Sequence, residues 1–460
     1  MTKNKKVIYY LTLVPLVIII IAFIWLFTVI FEGEQPSVTL DPLPDFISKK
    51  QEFEVSINDT RSGLKALKVS YNQSGTDTNI FELKFPFEGF LNKKGVRSFK
   101  KSFIFDPNEL RLSQGRVDLI IQVWDYSRRN GGDGNMTVIK HSMAVDTIPP
   151  SIRALSKMHN IYTGGTGLVI YSTSSDTTES GVYVDDIFFR GFPAENINDD
   201  GTHIAYFAIP FNAGKDPNIY LWAKDKAENT TQSTFYYHIR KKRFRTEKLN
   251  ISDNFLRRVL PYFDYYGLDP EKSNKENFIR INNEVRQADN KNLYDLLKES
   301  SPVKLWDGVW VRMKNAATMA QFADHREYYY DGEKIDEQNH MGVDLASLAN
   351  SPIEAANNGI VIFAQRNGIY GLTVVIDHGQ GISSLYGHLS TIEVSVGDKI
   401  SKGDIIGHSG MTGLAGGDHL HFSMLVHGVF VNPIEWWDSH WIKDNITRKL
   451  EILKDKNEAH

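Results

Sequence analysis

From Val7 to Phe31 the chain carries no charged residue and is dominated by Val, Ile, Leu and Phe. A bilayer core of about 30 Å takes about 20 apolar residues to cross in helix, so this run is long enough to span. A cleavable export signal has an apolar region of about 7–15 residues and then small residues at a cut site. Here the run is longer and ends Phe-Thr-Val-Ile-Phe-Glu. The reading is therefore an uncleaved transmembrane helix over 7–31, with a cleaved export signal as the alternative. Pro15 is tolerable inside such a helix. Lys3, Lys5 and Lys6 precede the span, and Glu32 and Glu34 follow it. That bias places residues 1–6 in the cytoplasm and everything after about residue 31 outside. Either alternative exports the remainder.

The exported part must bury several cores, because 460 residues at roughly 100–200 per domain imply about three domains. A net charge of −4 argues against a general polyanion binder, so no nucleic-acid partner is expected. The absence of cysteine excludes disulfides, thiolate zinc sites and a cysteine nucleophile. Any metal here must be held by His and carboxylates.

Residues 36–240 read as short strands between turns. Phe53, Val55 and Ile57 alternate with polar neighbours, as do Leu67, Val69 and Tyr71, and Val117, Leu119, Ile121 and Val123. Period-2 alternation means one buried face and one wet face. Turn-formers punctuate the strands at 130–132 and 198–201. Asp-Thr-Ile-Pro-Pro at 146–150 reads as a stiff linker. Each half ends alike: Trp124-Asp125 then Asn130, and Trp222 to Asp225 then Asn229. Two immunoglobulin-like β-sandwiches are expected, over 36–148 and 149–240. Such modules usually space or dock, and envelope protein partners would bind there.

From 241 to 305 the pattern turns helical. Phe255, Leu256, Val259, Leu260 and Phe263 share a face, and Ser273 with Glu276 predicts a capping box ahead of Phe278, Ile281 and Val285. Lys241, Lys242, Arg243 and Arg245 read as a solvated strand end. The tail, 439–460, repeats apolar residues at Trp441, Ile442, Ile446, Leu450 and Leu453, the pattern of an amphipathic helix on the last domain.

Nine of the 14 histidines fall between His325 and His440. Three clusters stand out: His340-Met-Gly-Val-Asp344, Tyr386-Gly-His388-Leu and His419-Leu-His421-Phe. Residues i and i+2 of a strand project to one face about 7 Å apart, so His419 and His421 can share a site while Leu420 and Phe422 enter the core. His340 and Asp344, four apart, are also co-facial. A catalytic zinc keeps three protein ligands and one open position, which two His and one Asp can supply. Each piece alone is weak; the ordered set among Gly-rich turns is specific.

Residues 306–438 resemble the M23 family of zinc metallopeptidases, the lysostaphin/LytM-like peptidoglycan endopeptidases. The resemblance runs through Phe322-Ala-Asp-His-Arg326, His340-Met-Gly-Val-Asp344, Tyr370-Gly-Leu-Thr, Leu385-Tyr-Gly-His388 and Gly413 to Phe422, ending at Val431-Asn-Pro. It implies an antiparallel β domain with a groove over the sheet, and a single zinc ion held by His340, Asp344 and His421. It also implies His388 and His419 as the catalytic pair. Ala323 stands where the family has Gly. No His-Glu-x-x-His is present, so histidine must take the role of the general base. The implied activity is zinc-dependent hydrolysis of stem peptides or cross-links of peptidoglycan, in a single-pass protein of a Gram-negative inner membrane with its bulk in the periplasm. The alternative is a non-catalytic module that binds wall or activates a partner hydrolase; the completeness of the residue set argues against it.

Other residues receive plainer readings. His378 reads as a turn residue or one that supports a metal ligand from behind, and His408 and His427 as exposed loop residues. His325 and Arg326 line the groove or form a surface salt bridge. Tyr328, Tyr329, Tyr330, Trp436 and Trp437 read as packing.

Overall fold

In the computed structural model, residues 3–194 and 201–458 are described. The expected turn at 198–201 falls largely outside them. One helix, Lys3–Ile30, contains the apolar run. Its stretch Leu13–Ile30 is long and apolar enough to cross a membrane. The regular structure after it is mostly strand, apart from helices between 253 and 296 and at the carboxy-terminal end and three short helical turns in loops.

Contacts divide the chain into two compact units. One holds residues 1–149 and 226–229; the other holds 150–225 and 230–460.

In the first unit, strands Ser37–Asp41, Gln51–Asn58 and Ser98–Phe105 form a three-stranded sheet. A five-stranded sheet carries Phe46–Ile47, Met136–Val145, Gly115–Asp125, Leu64–Gln73 and Thr76–Lys84, in that order. Every residue singled out by the period-2 pattern, from Phe53 to Val123, is buried in one core between them. Alternation works here because each strand has one face against the other sheet and one in water.

In the second unit, residues 150–225 and 230–240 form two four-stranded sheets and a parallel pair, His159–Tyr162 with Tyr237–Arg240. The helical segment shows the expected capping box, with Ser273 Oγ accepting from Glu276 N and the Glu276 carboxylate accepting from Ser273 N. It opens with a strand, Thr246–Asn250, which pairs in parallel with His325–Tyr330. The basic run ends in structure as well: Arg245 donates to Asp324 at 2.6 Å.

The last part is an eight-stranded sheet. Its order is Ala317–Ala320, Val343–Ala346, Leu420–Val426, Ile382–Leu389, Gly371–Asp377, Gly359–Asn367 and Lys399–Ile400, with Val429–Val431 paired to Leu420–Val426. The terminal helices pack on two sides. Trp441 meets Trp436 at 5.5 Å between ring centroids, and Lys449 Nζ donates to Leu168 O at 3.0 Å. One continuous apolar core joins 150–225, the connector and this sheet.

Candidate metal centre and groove

Strand register assembles the site. Val343–Ala346 lies antiparallel to Leu420–Val426 with Asp344 directly opposite His421, so both side chains project from one face. Gly387 faces His421 from the other side. His340 sits just before the first of these strands, and His419 just before the second, where it bridges Gly410.

His388 would point to the wrong face in a regular strand. Leu389 pairs with Leu372 and Tyr386 with Val374, so Gly387 and His388 together oppose Thr373 alone. This bulge, with φ of 63° at His388, turns its ring toward the others. The His388 and His419 ring centroids lie 4.8 Å apart, and those of His388 and His421 5.7 Å.

Three atoms converge. His340 Nε2 is 2.9 Å from Asp344 Oδ1 and 3.0 Å from His421 Nδ1, and His421 Nδ1 is 3.0 Å from Asp344 Oδ1. The outer nitrogens define the tautomers. His340 Nδ1 donates to Gln321 O at 2.9 Å. His421 Nε2 donates to Ser423 Oγ at 3.0 Å, and that hydroxyl in turn donates to Met341 O at 2.8 Å. With the outer nitrogens engaged by these partners, His340 Nε2 and His421 Nδ1 face one another and the Asp344 carboxylate. Two imidazole nitrogens and one carboxylate oxygen about 3 Å apart, each ring held from behind by a backbone or hydroxyl oxygen, are the donor chemistry a divalent ion takes. The donor set therefore fits a zinc-type ion.

The surroundings support this set. Gly342 has no room for a side chain: a Cβ there would come within 2.6 Å of His421 Nε2, Phe422 O and Ser423 Oγ. The Gln321–Asp324 turn carries the carbonyl that holds His340, and it places Ala323 at φ 60°. Glycine takes that conformation freely, whereas alanine loses roughly 1–2 kcal/mol. Arg326 Nη2 donates to Asp344 Oδ2 at 2.8 Å, leaving Oδ1 to face the histidines.

The two remaining imidazoles differ. His388 Nδ1 donates to Thr412 O at 2.8 Å, so Nε2 faces the site. Burial, then the nearby His419 and His421, hold its pKa well below the ordinary 6.5, so it is neutral. His419 Nδ1 donates to Gly417 O at 2.8 Å, and its Nε2 lies 3.5 Å from Asp344 Oδ1. Burial disfavours its charge, but the hydrogen bond and charge of Asp344 outweigh that and raise its pKa. Burial also opposes the charge of Asp344, yet the surrounding histidines keep its pKa well below 3.8. All five residues line one cleft of about 470 Å³, to which Glu247, Phe255 and Arg286 of the connector also contribute.

The plainer readings fare differently. Trp436 is fully buried, as expected, and Tyr328 is buried. His408 is half-buried and pairs with Glu393 at 2.8 Å. His427 is buried rather than exposed, its ring stacked on Phe192 at 5.8 Å: the turn that carries it packs against the neighbouring β sheet. His378 is buried between Asn358 O and Ser384 Oγ, at 2.6 and 2.7 Å. Arg326 both lines the cleft and forms an ion pair, and its pairing with Asp344 was invisible in sequence. Ser423 was missed although it stands two residues from His421 on the same strand face, a period-2 signal that was there to be read. Tyr370, whose ring lies 5.3 Å from His421, was also missed and is placed only by tertiary packing.

An all-His/carboxylate donor triad at the head of an open β-sheet groove, flanked by two further imidazoles, is the equipment of a metallopeptidase. Residues 338–433 match the model of Peptidase family M23. The carboxy-terminal part of the chain is an M23 peptidase domain of the lysostaphin/LytM-like kind. The chain is 38% identical over 95 residues to the DD-carboxypeptidase/endopeptidase Mpg of Neisseria gonorrhoeae, covering 21% of this chain and 22% of that protein. It is 38% identical over 96 residues to the peptidoglycan DD-endopeptidase ShyA of Vibrio cholerae, again 21% and 22%. The matched region thus spans about a fifth of these relatives. Among solved structures, the catalytic domain of lysostaphin from Staphylococcus simulans is 26% identical, covers 27% of this chain and 92% of that one, and gives a TM-score of 0.23.

Proposed function

We propose that the protein is a membrane-anchored zinc endopeptidase that hydrolyses peptide cross-links or stem peptides of peptidoglycan. The observation that carries this is the meeting of His340 Nε2, Asp344 Oδ1 and His421 Nδ1 in a cleft that also holds His388 and His419. Zinc, when bound by His340, Asp344 and His421, supplies a Lewis acid and lowers the pKa of a coordinated water.

The chain's own groups do the rest. Neutral His388, with Nε2 free, accepts the proton of the attacking water. His419, with its raised pKa, carries a proton and donates to the oxyanion that develops on the scissile carbonyl. Arg326 orients Asp344 through its second oxygen. The groove beside the sheet accepts an extended peptide, and the alanyl–diamino acid cross-link is the favoured bond, since the named activities of Mpg and ShyA are of the DD type. Helix Lys3–Ile30 anchors the chain in an inner membrane, and the two β units over 36–148 and 149–240 act as immunoglobulin-like spacers or docking modules for envelope partners.

The test is incubation of the full-length, zinc-loaded protein with purified sacculi, followed by mass spectrometry of the released muropeptides. Cleaved cross-links with a new free amine on the diamino acid are expected. Intact sacculi with zinc bound at one equivalent would support a non-catalytic binding module instead.

A further inference from the structure

All connections at one end of the first β unit gather where the apolar helix ends. Gln51–Asn58 and Gly115–Asp125 finish there, Leu64–Gln73 and Met136–Val145 begin there, and the 85–97 loop joins Thr76–Lys84 to Ser98–Phe105 at the same end. The helix exit is fastened to this end. Arg128 N donates to Ile30 O at 2.9 Å, Arg129 Nε to Phe31 O at 2.9 Å, and Ser127 Oγ to Glu32 O at 2.8 Å. The β unit therefore cannot swing freely about the point where the chain leaves the helix.

The 85–97 loop is braced and carries two aromatics outward. Asn92, buried, accepts from Glu88 N at 2.8 Å and donates to Ser62 O at 2.8 Å. Tyr126 Oη donates to Phe85 O. Phe87 lies 5.2 Å from Tyr126 between ring centroids yet remains 55% exposed, and Phe90 is 70% exposed. Tyr126 is two residues from Arg128, so Phe87 lies within roughly 15 Å of the last helical turn. The loops 86–95 and 128–133 carry exposed Lys93, Lys94, Arg128 and Arg129 against exposed Glu88 and Asp133, while Glu34 at the helix exit is paired with Arg61 and Glu32 is tied to Asn135.

We propose that this end of the first β unit rests on the phospholipid surface, with Phe87 and Phe90 in the headgroup layer and Lys93, Lys94 and Arg128 on lipid phosphates. The inference rests on the reading of Lys3–Ile30 as a membrane anchor. Two observations choose lipid as the occupant. The first is continuity: Leu13–Ile30 is about 27 Å long as helix, close to the hydrocarbon thickness, so groups tied to Ile30 and Phe31 stand at the boundary. The second is charge and shape: exposed rings beside surplus cations match an interface of acyl chains below phosphates.

The chain has no cysteine, so single nitroxide labels can be placed cleanly. Phe90→Cys and, at the opposite end of the unit, Thr76→Cys are labelled in the full-length protein and reconstituted into phosphatidylethanolamine/phosphatidylglycerol vesicles. The label at 90 is expected to lose collisions with a water-soluble nickel chelate and gain collisions with oxygen, while the label at 76 keeps its aqueous values. Adding Lys93→Glu and Lys94→Glu is expected to move the label at 90 toward water. Equal aqueous accessibility at both positions in protein that co-floats with the vesicles overturns the proposal, and is the result a protein partner for this surface would give. Protein that does not co-float at all removes the anchor reading, and this inference with it.

Discussion

Ser423 sets which nitrogen of His421 faces the centre, because its hydroxyl accepts from Nε2 and itself donates to Met341 O. Ser423→Ala leaves the ring free to take the wrong tautomer. We expect zinc affinity to fall about 10–100-fold, the usual effect of losing such a partner, with turnover recovering at saturating zinc; competition with a chromogenic chelator measures it. Proposed metal ligand and proposed catalytic residue separate by the same assay. His421→Ala is expected to lose metal and hydrolysis together, whereas His388→Ala keeps one equivalent of zinc and loses turnover by about 10²–10⁴-fold. Zinc retained at wild-type stoichiometry in His421→Ala would overturn the ligand assignment. At this scale the sequence was informative where chemistry is carried by residue type and spacing: His340, Asp344, His388, His419 and His421 could be named before any coordinates. It placed Arg326 at the groove or in a salt bridge but was silent on its partner and on the role of Tyr370, because nothing local shows that an arginine eighteen positions from Asp344 pairs with it.

At the scale of elements, the bulge opposite Thr373 and the connector are the features that matter. Asp289 accepts from Ile369 N at 2.8 Å and from Tyr266 Oη at 2.9 Å, and Tyr370 Oη donates to Asn290 at 2.8 Å, so the connector helix holds the loop whose tyrosine packs on His421. Asp289→Ala leaves a buried N–H without an acceptor, and a loss of about 1–3 kcal/mol is expected in denaturant titration. The short helix Pro433–Trp437 adds a pH dependence. Glu435 accepts from Thr166 N at 2.9 Å, and burial pushes its carboxyl up to about 8. Between the ordinary 4.5 and about 8 the folded protein holds a proton that the unfolded chain has released, so this group's contribution to stability falls as pH rises through that window. Glu435→Gln cannot ionise. Its thermal midpoint relative to wild type should rise from pH 5 to pH 8; a difference that stays constant would exclude the effect. The alternating strands and the Ser273 capping box were legible because they follow local periodicity. The bulge was not, since it depends on what a neighbouring strand offers as partner.

For the whole molecule, zinc is expected to be a condition of activity rather than of folding. The cores are apolar and complete without it, and the donor triad lines the cleft on one face of the sheet rather than the core behind it. Chelation should therefore abolish hydrolysis while leaving the far-ultraviolet circular dichroism unchanged, with activity restored by zinc. A loss of β signal on chelation would show that the ion is structural. What the sequence determined by itself was whatever is written in composition and short-range pattern: an apolar run long enough to cross a membrane, strands with one wet face, no thiol ligands, and five imidazole and carboxylate groups in a telling order. Tertiary structure alone decided the rest. It set Asp344 opposite His421, turned His388 across a bulge, fixed each tautomer through Gln321 and Ser423, and ran one core from 150–225 into the catalytic sheet. Those outcomes depend on which distant segments become neighbours, and contact energies between segments far apart in the chain leave no trace in the spacing of residues along it.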